Sequence, residues 1–414
     1  VTTMKWLGPN WIKVDLDAVY HNLMTIKNLT SAQVCPVLKG DAYGHGIVVL
    51  SMFLQQFNPP YIAVSDLDEA LEVRSVNSHT PVLVLTPILP EQAEVVADHN
   101  ITATVANSEV ITALAQAASV RRKVLPVHLK INTGMNRVGV AVEQAVTIAQ
   151  QITQHHYLKL VGVYTHFAAA STDQAYTRLQ WQRFLQVKHE LEKRGFQQLL
   201  WHAANSAALI KFPESHMDLV RTGTLLFGQS VVELPDYVDL HCTWQLFSRI
   251  IQVNHVSKGE SIGYDQTYTT KRDSIIGVIP IGYGDGIGFG PNQQKFKQQI
   301  RSFLVHLVNN PNRVWIGETS YPIVGKIAMG MSCIDLTDYP HPEELYGAIV
   351  QVPARRTTIN RRVPKLYYLH GKLVLVYWHN KIWKPLTRNG LMSLKEVNAV
   401  AAKEFLKWRN VYDY

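Results

Sequence analysis

VCPVLKGDAYGHG (Val34–Gly46) sets a short apolar run against a loop with three glycines and places one lysine, Lys39, at the junction. Residues two apart in a strand share a face, so Cys35, Val37 and Lys39 point one way and Val34, Pro36 and Leu38 the other. A buried ammonium is costly unless it is paired or loses its charge. Lys39 is therefore either a reactive amine or a lysine that snorkels out from a strand end, and the segment alone favours the second.

Working outward, seven further apolar or β-branched runs follow at similar intervals. They are YIAVS (61–65), PVLVLT (81–86), ITATV (101–105), LPVHLKI (125–131), LVGVYTHF (160–167), LLWHAA (199–204) and LVRTGTLLFG (219–228). Segments with helical spacing, such as DLDEALEVRSV (66–76) and QAVTIAQQIT (144–153), lie between them. Strands alternating with helices imply βαβ units, and eight of them imply a closed (β/α)8 TIM barrel in an α/β fold. Upstream, WIKVDLDAVYHNLMTIKNL (11–29) reads as a strand and then an amphipathic helix, with Leu16, Val19, Leu23 and Ile26 on one face.

Beyond about Pro235 the texture becomes β-rich, as in residues 244–270, 275–288, 324–338 and 347–356. The expected organisation is a barrel over 11–235 and a C-terminal β domain over 236–390, joined by the N-terminal strand within 1–15. A C-terminal helix over 391–414 completes it. That helix rests on SLKEVNAVAAKEFLKW (393–408), where Ser393 and Glu396 form a capping-box pattern and Leu394, Val397, Ala401, Phe405 and Trp408 fall on one stripe.

The chain has 414 residues, is 47% hydrophobic and carries a formal net charge of +8, with a pI near 9.2. Its basic residues are scattered and no nucleic-acid motif accompanies them, so the excess reads as a solvated surface with some attraction for anionic ligands. The three cysteines, Cys35, Cys242 and Cys333, lack the spacing of a zinc site or a disulfide framework. No run is long enough to span a bilayer, and VTTMKWLGPNW lacks the apolar core of a signal peptide. The expectation is a cytoplasmic enzyme without nucleic-acid or membrane partners and without a metal.

Alternation gives Lys39 a direction. If its face is the inner one, the amine projects at the C-terminal mouth of the barrel, where barrel active sites sit. Lys130, His166, Asn205 and Arg221 fall at the ends of later strands, and Arg137 follows its strand. Several polar groups converging on one mouth point to function rather than packing. A desolvated lysine can form a Schiff base with a carbonyl, and RTGT (221–224) offers backbone and hydroxyl donors for a phosphate. A phosphorylated aldehyde cofactor, pyridoxal 5'-phosphate, fits both features.

LKGDAYGHG, KINTGMNRVG, YTHF, HAANSAA, VRTGTLLFG, SIGYDQTYT and VIPIGYGDG, in that order, resemble the alanine racemase family from about Trp11 to Val363. The resemblance implies a pyridoxal-phosphate enzyme that interconverts L- and D-alanine, the latter for bacterial cell walls, as a homodimer with shared active sites. It implies that Lys39 carries the cofactor. Tyr43, Ser206, Gly223 and Thr224 would meet its phosphate, His166 would pack near its ring and Arg221 would face its ring nitrogen. Arg137 would bind the substrate carboxylate, next to a carbamylated Lys130. Tyr264 of the partner subunit would be the second acid–base group, with Tyr283 and Met329 lining the substrate site.

This chain departs from the family at GKIAMG (325–330), where Lys326 replaces an arginine and Gly330 an aspartate. It departs again after TTIN (357–360), where either Arg361 takes the place of a family tyrosine or the segment that carries it is deleted. A racemase for larger or more varied amino acids, and a cofactor-binding relative with weak activity, are the alternatives these changes raise.

Overall fold

The computed structural model describes residues 8–288, 313–385 and 391–393. It divides into two compact units, one over residues 18–242 and one that joins the segment up to Asp17 to the segment from Thr243.

In the first unit each of the eight runs holds a strand. They are β1 (Gln33–Pro36), β2 (Ile62–Val64), β3 (Val82–Val84), β4 (Ala103–Val105), β5 (Leu125–Asn132), β6 (Leu158–Tyr164), β7 (Leu200–His202) and β8 (Leu219–Thr222). The pairings are parallel, with β8 on β1 through Arg221↔Cys35, β2 on β3, and β4, β5, β6 and β7 in series. Bridges at Val37↔Ala63 and Leu83↔Thr102 join β1 to β2 and β3 to β4. Asp218 N–H donates to Trp201 O (3.1 Å) and Arg221 N–H to Ala204 O (3.0 Å), which closes the ring between β7 and β8. The eight strands thus form the barrel expected from the sequence.

Outer helices start where polar caps stand. Asp66 accepts from Glu69 N–H, Asn107 from Val110 N–H and Asp173 from Tyr176 N–H. Cys35, Val37, Ala63, Leu83 and Leu219 pack together as a buried cluster on the inner faces of β1, β2, β3 and β8. The run 219–228 is strand only as far as Thr222; Gly223 onward turns away.

The second unit is built on a twelve-stranded sheet. Trp11–Asp15 lies inside it, antiparallel to Trp244–Arg249 and parallel to Lys365–Leu369. Trp11, Leu366 and Val376 are buried together against it. Leu391–Ser393, which the sequence assigns to the start of a terminal helix, is instead a strand. It pairs antiparallel with Trp383–Pro385, whose ladder satisfies its backbone groups. The rest of the expected helix, residues 394–414, lies outside the described residues.

Candidate active site

Lys39 stands at the end of the first barrel strand, and the chain then does something the sequence reads only as a loop. Gly40, Asp41, Ala42 and Tyr43 have φ of 64°, 55°, 53° and 54° with ψ of 37–49°, one turn of left-handed helix. Glycine takes that conformation freely, but the three non-glycine residues cost roughly 1–2 kcal/mol each. Glu69 offsets the strain. Its Oε1 accepts from Gly40 N–H (2.6 Å) and Asp41 N–H (3.2 Å), and its Oε2 from Ser65 N–H (2.8 Å). Asp41 Oδ1 accepts from Ile47 N–H, and His45 Nδ1 donates to Ala42 O. The clamped turn brings Lys39 and Tyr43 to the wall of one cavity, of about 490 Å³.

Lys39, Lys130, Arg137 and Arg221 all line this cavity, and among the described residues that line it none is acidic. Burial, and next Arg137, hold the Lys39 ammonium below the ordinary lysine range; Glu69 opposes this and Arg221 adds to it. Burial, followed by Arg221, Arg137 and Lys39, pulls Lys130 down to about 8. The cavity therefore concentrates positive charge with no protein anion in its lining, and it favours a ligand with negative groups.

Arg221 is 3% exposed, and its guanidinium is held on every side. It donates to Thr165 O (2.7 Å), Ala203 O (3.1 Å), His166 Nδ1 (3.4 Å) and His202 Nδ1 (2.8 Å). An arginine can only donate, so His202 Nδ1 is an acceptor and its proton is on Nε2. That proton is given to His128 Nδ1 (2.8 Å), which places the His128 proton on Nε2. His128 Nε2 is buried and has no hydrogen-bond partner among the described residues. Burial, and then Arg221, keep all three imidazoles neutral: His128 falls to about 3, and His166 and His202 lie well below the histidine range. Tyr164 stacks on His202, with ring centroids 4.7 Å apart, and donates to Leu85 O. Gly162 leaves room for His128, since a Cβ there would come within 2.5 Å of the imidazole.

Beside Arg221 the donors change character. Gly223 N–H donates to Ser206 Oγ (3.3 Å), and a Cβ on Gly223 would meet Tyr43 Oη at 2.4 Å. Hydroxyls of Tyr43, Ser206 and Thr224 line the cavity next to this backbone donor. Burial pushes the Tyr43 phenol up to about 12, so it stays protonated and able to donate. This donor set suits a phosphate.

Nine anticipated residues thus meet in the barrel cavity. The other three, Tyr264, Tyr283 and Met329, gather on the β unit. Lys326 Nζ pairs with Asp265 Oδ2 (2.7 Å), next to Tyr264. Tyr283 N–H donates to Ala328 O (3.0 Å) and Gly284 N–H to Met329 O (2.8 Å). Within their unit Tyr264 is 67% exposed, Tyr283 43% and Met329 67%. Sequence reasoning missed Glu69, His128, Tyr164 and His202. Alternation could have found two of them, because His128 and Tyr164 stand two residues before Lys130 and His166 on the same inner face.

Comparisons with known proteins point to one family. The family profile described as "Alanine racemase, N-terminal domain" matches residues 14–231, and "Alanine racemase, C-terminal domain" matches 243–361. An alanine racemase of Desulfovibrio desulfuricans is 32% identical over 380 residues, covering 87% of this chain and 98% of the relative. The structure of an alanine racemase from Clostridium difficile 630 matches with a TM-score of 0.80 at 27% identity, over 90% of this chain and 98% of the other. A histidine racemase from Leuconostoc mesenteroides matches with a TM-score of 0.74 at 25% identity, over 87% and 98%.

Proposed function

Because the chain belongs to the alanine racemase family, we propose that it interconverts L- and D-alanine with pyridoxal 5'-phosphate, by a two-base mechanism. The observation that carries this reading is the cavity with four cations, no lining carboxylate and a neighbouring phosphate cradle.

Bound pyridoxal phosphate supplies the electron sink that acidifies the substrate α-hydrogen. Tyr43, Ser206, Thr224 and Gly223 N–H would hold its phosphate. Arg221, kept charged and fixed by four acceptors, would face its ring nitrogen without giving up a proton. His166 accepts from Arg221 and would pack near the ring. Lys39 carries the cofactor and then serves as the acid–base group on one face of the α-carbon; burial and Arg137 favour its neutral amine.

Inversion needs a second group on the other face. Tyr264 fills that role from the partner subunit in a homodimer, with Tyr283 and Met329 lining the substrate site. Arg137 has no ion-pair partner among the described residues and would take the substrate carboxylate. Lys130, drawn toward neutrality, can add carbon dioxide and release a proton; the resulting carbamate would orient Arg137. No helix among the described residues is long and apolar enough to cross a membrane.

The left-handed turn assigns a positioning role to Glu69. Hydrogen bonds to a charged group are worth about 1.5–3 kcal/mol each, and small displacements of a reacting group are costly. Glu69→Ala is expected to lower kcat by about 10–100-fold with a smaller change in KM. Glu69→Gln, which keeps one acceptor oxygen, should retain part of that loss in activity. Steady-state kinetics of both variants check this, and equal kcat in all three proteins would remove Glu69 from the mechanism.

One observation favours a second reading, a broader substrate range. Gly330 stands where the family has an aspartate, with nothing within 4 Å of an added Cβ, and a histidine racemase shares the fold. Chiral chromatography after incubation with L-alanine, L-serine and L-histidine decides between the two. Preference for alanine supports the first reading, comparable kcat/KM values support the second, and no turnover of any of the three overturns both.

A further inference from the structure

We propose that His21, Asp239 and His241 form a binding site for a zinc-type divalent cation, which staples the first helix of the barrel unit to the segment after its last strand. His21 lies on the helix Leu16–Asn28, and Asp239 and His241 lie beyond β8. None of the three lines the cavity that contains Lys39.

The donor atoms already stand close to coordination distance. Asp239 Oδ2 is 3.0 Å from His241 Nε2 and 3.6 Å from His21 Nε2, and the three ligand atoms lie within 4.8 Å of one another. Tetrahedral zinc, with bonds of 2.0–2.2 Å, holds its donors about 3.3 Å apart. The two observed separations bracket that value, and side-chain rotations that unstack the two near-parallel imidazoles bring both rings and the carboxylate onto one ion. Two imidazoles and one carboxylate are a ligand set that zinc accepts, with remaining positions open to water.

The arrangement is held by the fold rather than by chance rotamers. Asn22, adjacent to His21 and fully buried, donates to His241 O (2.9 Å) and Leu226 O (3.2 Å) and accepts from His241 N–H (2.7 Å). A Cβ on Gly228 would lie 2.1 Å from His241 O, so the segment rests directly on that glycine. Thr25 Oγ1 and His21 Nε2 approach Asp239 O at 3.4 and 3.3 Å. The imidazoles are left stacked, with centroids 3.7 Å apart and planes at 7°. His21 and Asp239 are 218 positions apart, so a shared ion would cross-link nearly the whole barrel unit and restrict its unfolded chain as a long-loop staple does.

The test uses the full chain after chelation and desalting. Calorimetric titration with zinc chloride should give one more equivalent for the wild type than for His21→Ala, His241→Ala and Asp239→Asn. Saturating zinc should raise the wild-type Tm by about 3–6 °C and leave that of the variants unchanged. His21→Gln guards against a folding defect, because it keeps a polar side chain of similar reach while removing the imidazole. Loss of the extra equivalent together with loss of the Tm increment supports the proposal. Equal zinc uptake in wild type and variants, or uptake without a Tm increment, overturns it.

Discussion

Lys39→Ala is expected to lose more than about 10³-fold in racemisation, because in the proposed mechanism it removes both the attachment point for pyridoxal phosphate and one acid–base group. The fold should survive the change: the side-chain hydrogen bonds that hold the left-handed turn come from Glu69, Asp41 and His45, and the substitution leaves the Lys39 backbone in place. A second measurement makes the assignment specific. Borohydride treatment of the wild type, followed by peptide mapping, should leave a pyridoxyl label on Lys39. The competing lysine is Lys130, which is buried, lines the same cavity and is pulled down to about 8. A label on Lys130, or substantial turnover by Lys39→Ala, would exchange the roles of the two amines.

Tyr264→Phe should cost about 10²–10⁴-fold. The substitution removes one oxygen from a side chain that is 67% exposed in its unit, so it should leave stability and cofactor absorbance intact. In a homodimer with shared sites, Lys39→Ala and Tyr264→Phe lie on opposite contributors to each site. A heterodimer of the two variants then holds one site with both groups present and one with neither. Random subunit exchange of an equal mixture should restore about one quarter of wild-type activity, since half the dimers are mixed and each has one competent site of two. Absence of recovery after demonstrated exchange would place Lys39 and Tyr264 in one chain.

The barrel was legible in the sequence because parallel strands are buried on both faces and read as apolar runs. Every one of the eight runs contains a strand. Polar residues at the ends of those runs, such as Lys130, His166 and Arg221, were conspicuous for the same reason. The polar residues inside the runs were passed over, although alternation puts His128 on the face of Lys130 and Tyr164 on the face of His166. His128, Tyr164 and His202 are buried on the inner face, where a polar residue amid valines and leucines reads as a satisfied core group. Glu69 was hidden differently. It sits three residues after a helix cap, where an acidic side chain is ordinary, and only the three-dimensional turn reveals its backbone acceptor role. The strand at Leu391–Ser393 was misread because pairing with Trp383–Pro385 is tertiary information that a short window does not contain.

Gly162 carries a consequence for how this sequence can vary. Its α-carbon faces His128, His128 abuts His202, and His202 abuts Arg221, through two contacts of 2.8 Å with a fixed proton direction. A methyl group at 162 therefore has no soft neighbour to absorb it. The displacement passes along rigid aromatic rings to a guanidinium at the cavity wall. Position 162 is thus under the same selective restriction as a residue that touches the ligand, although it touches none. Neutral drift at that site is closed unless position 128 changes first to something smaller, which makes the order of substitutions, and not only their identity, a property of this fold.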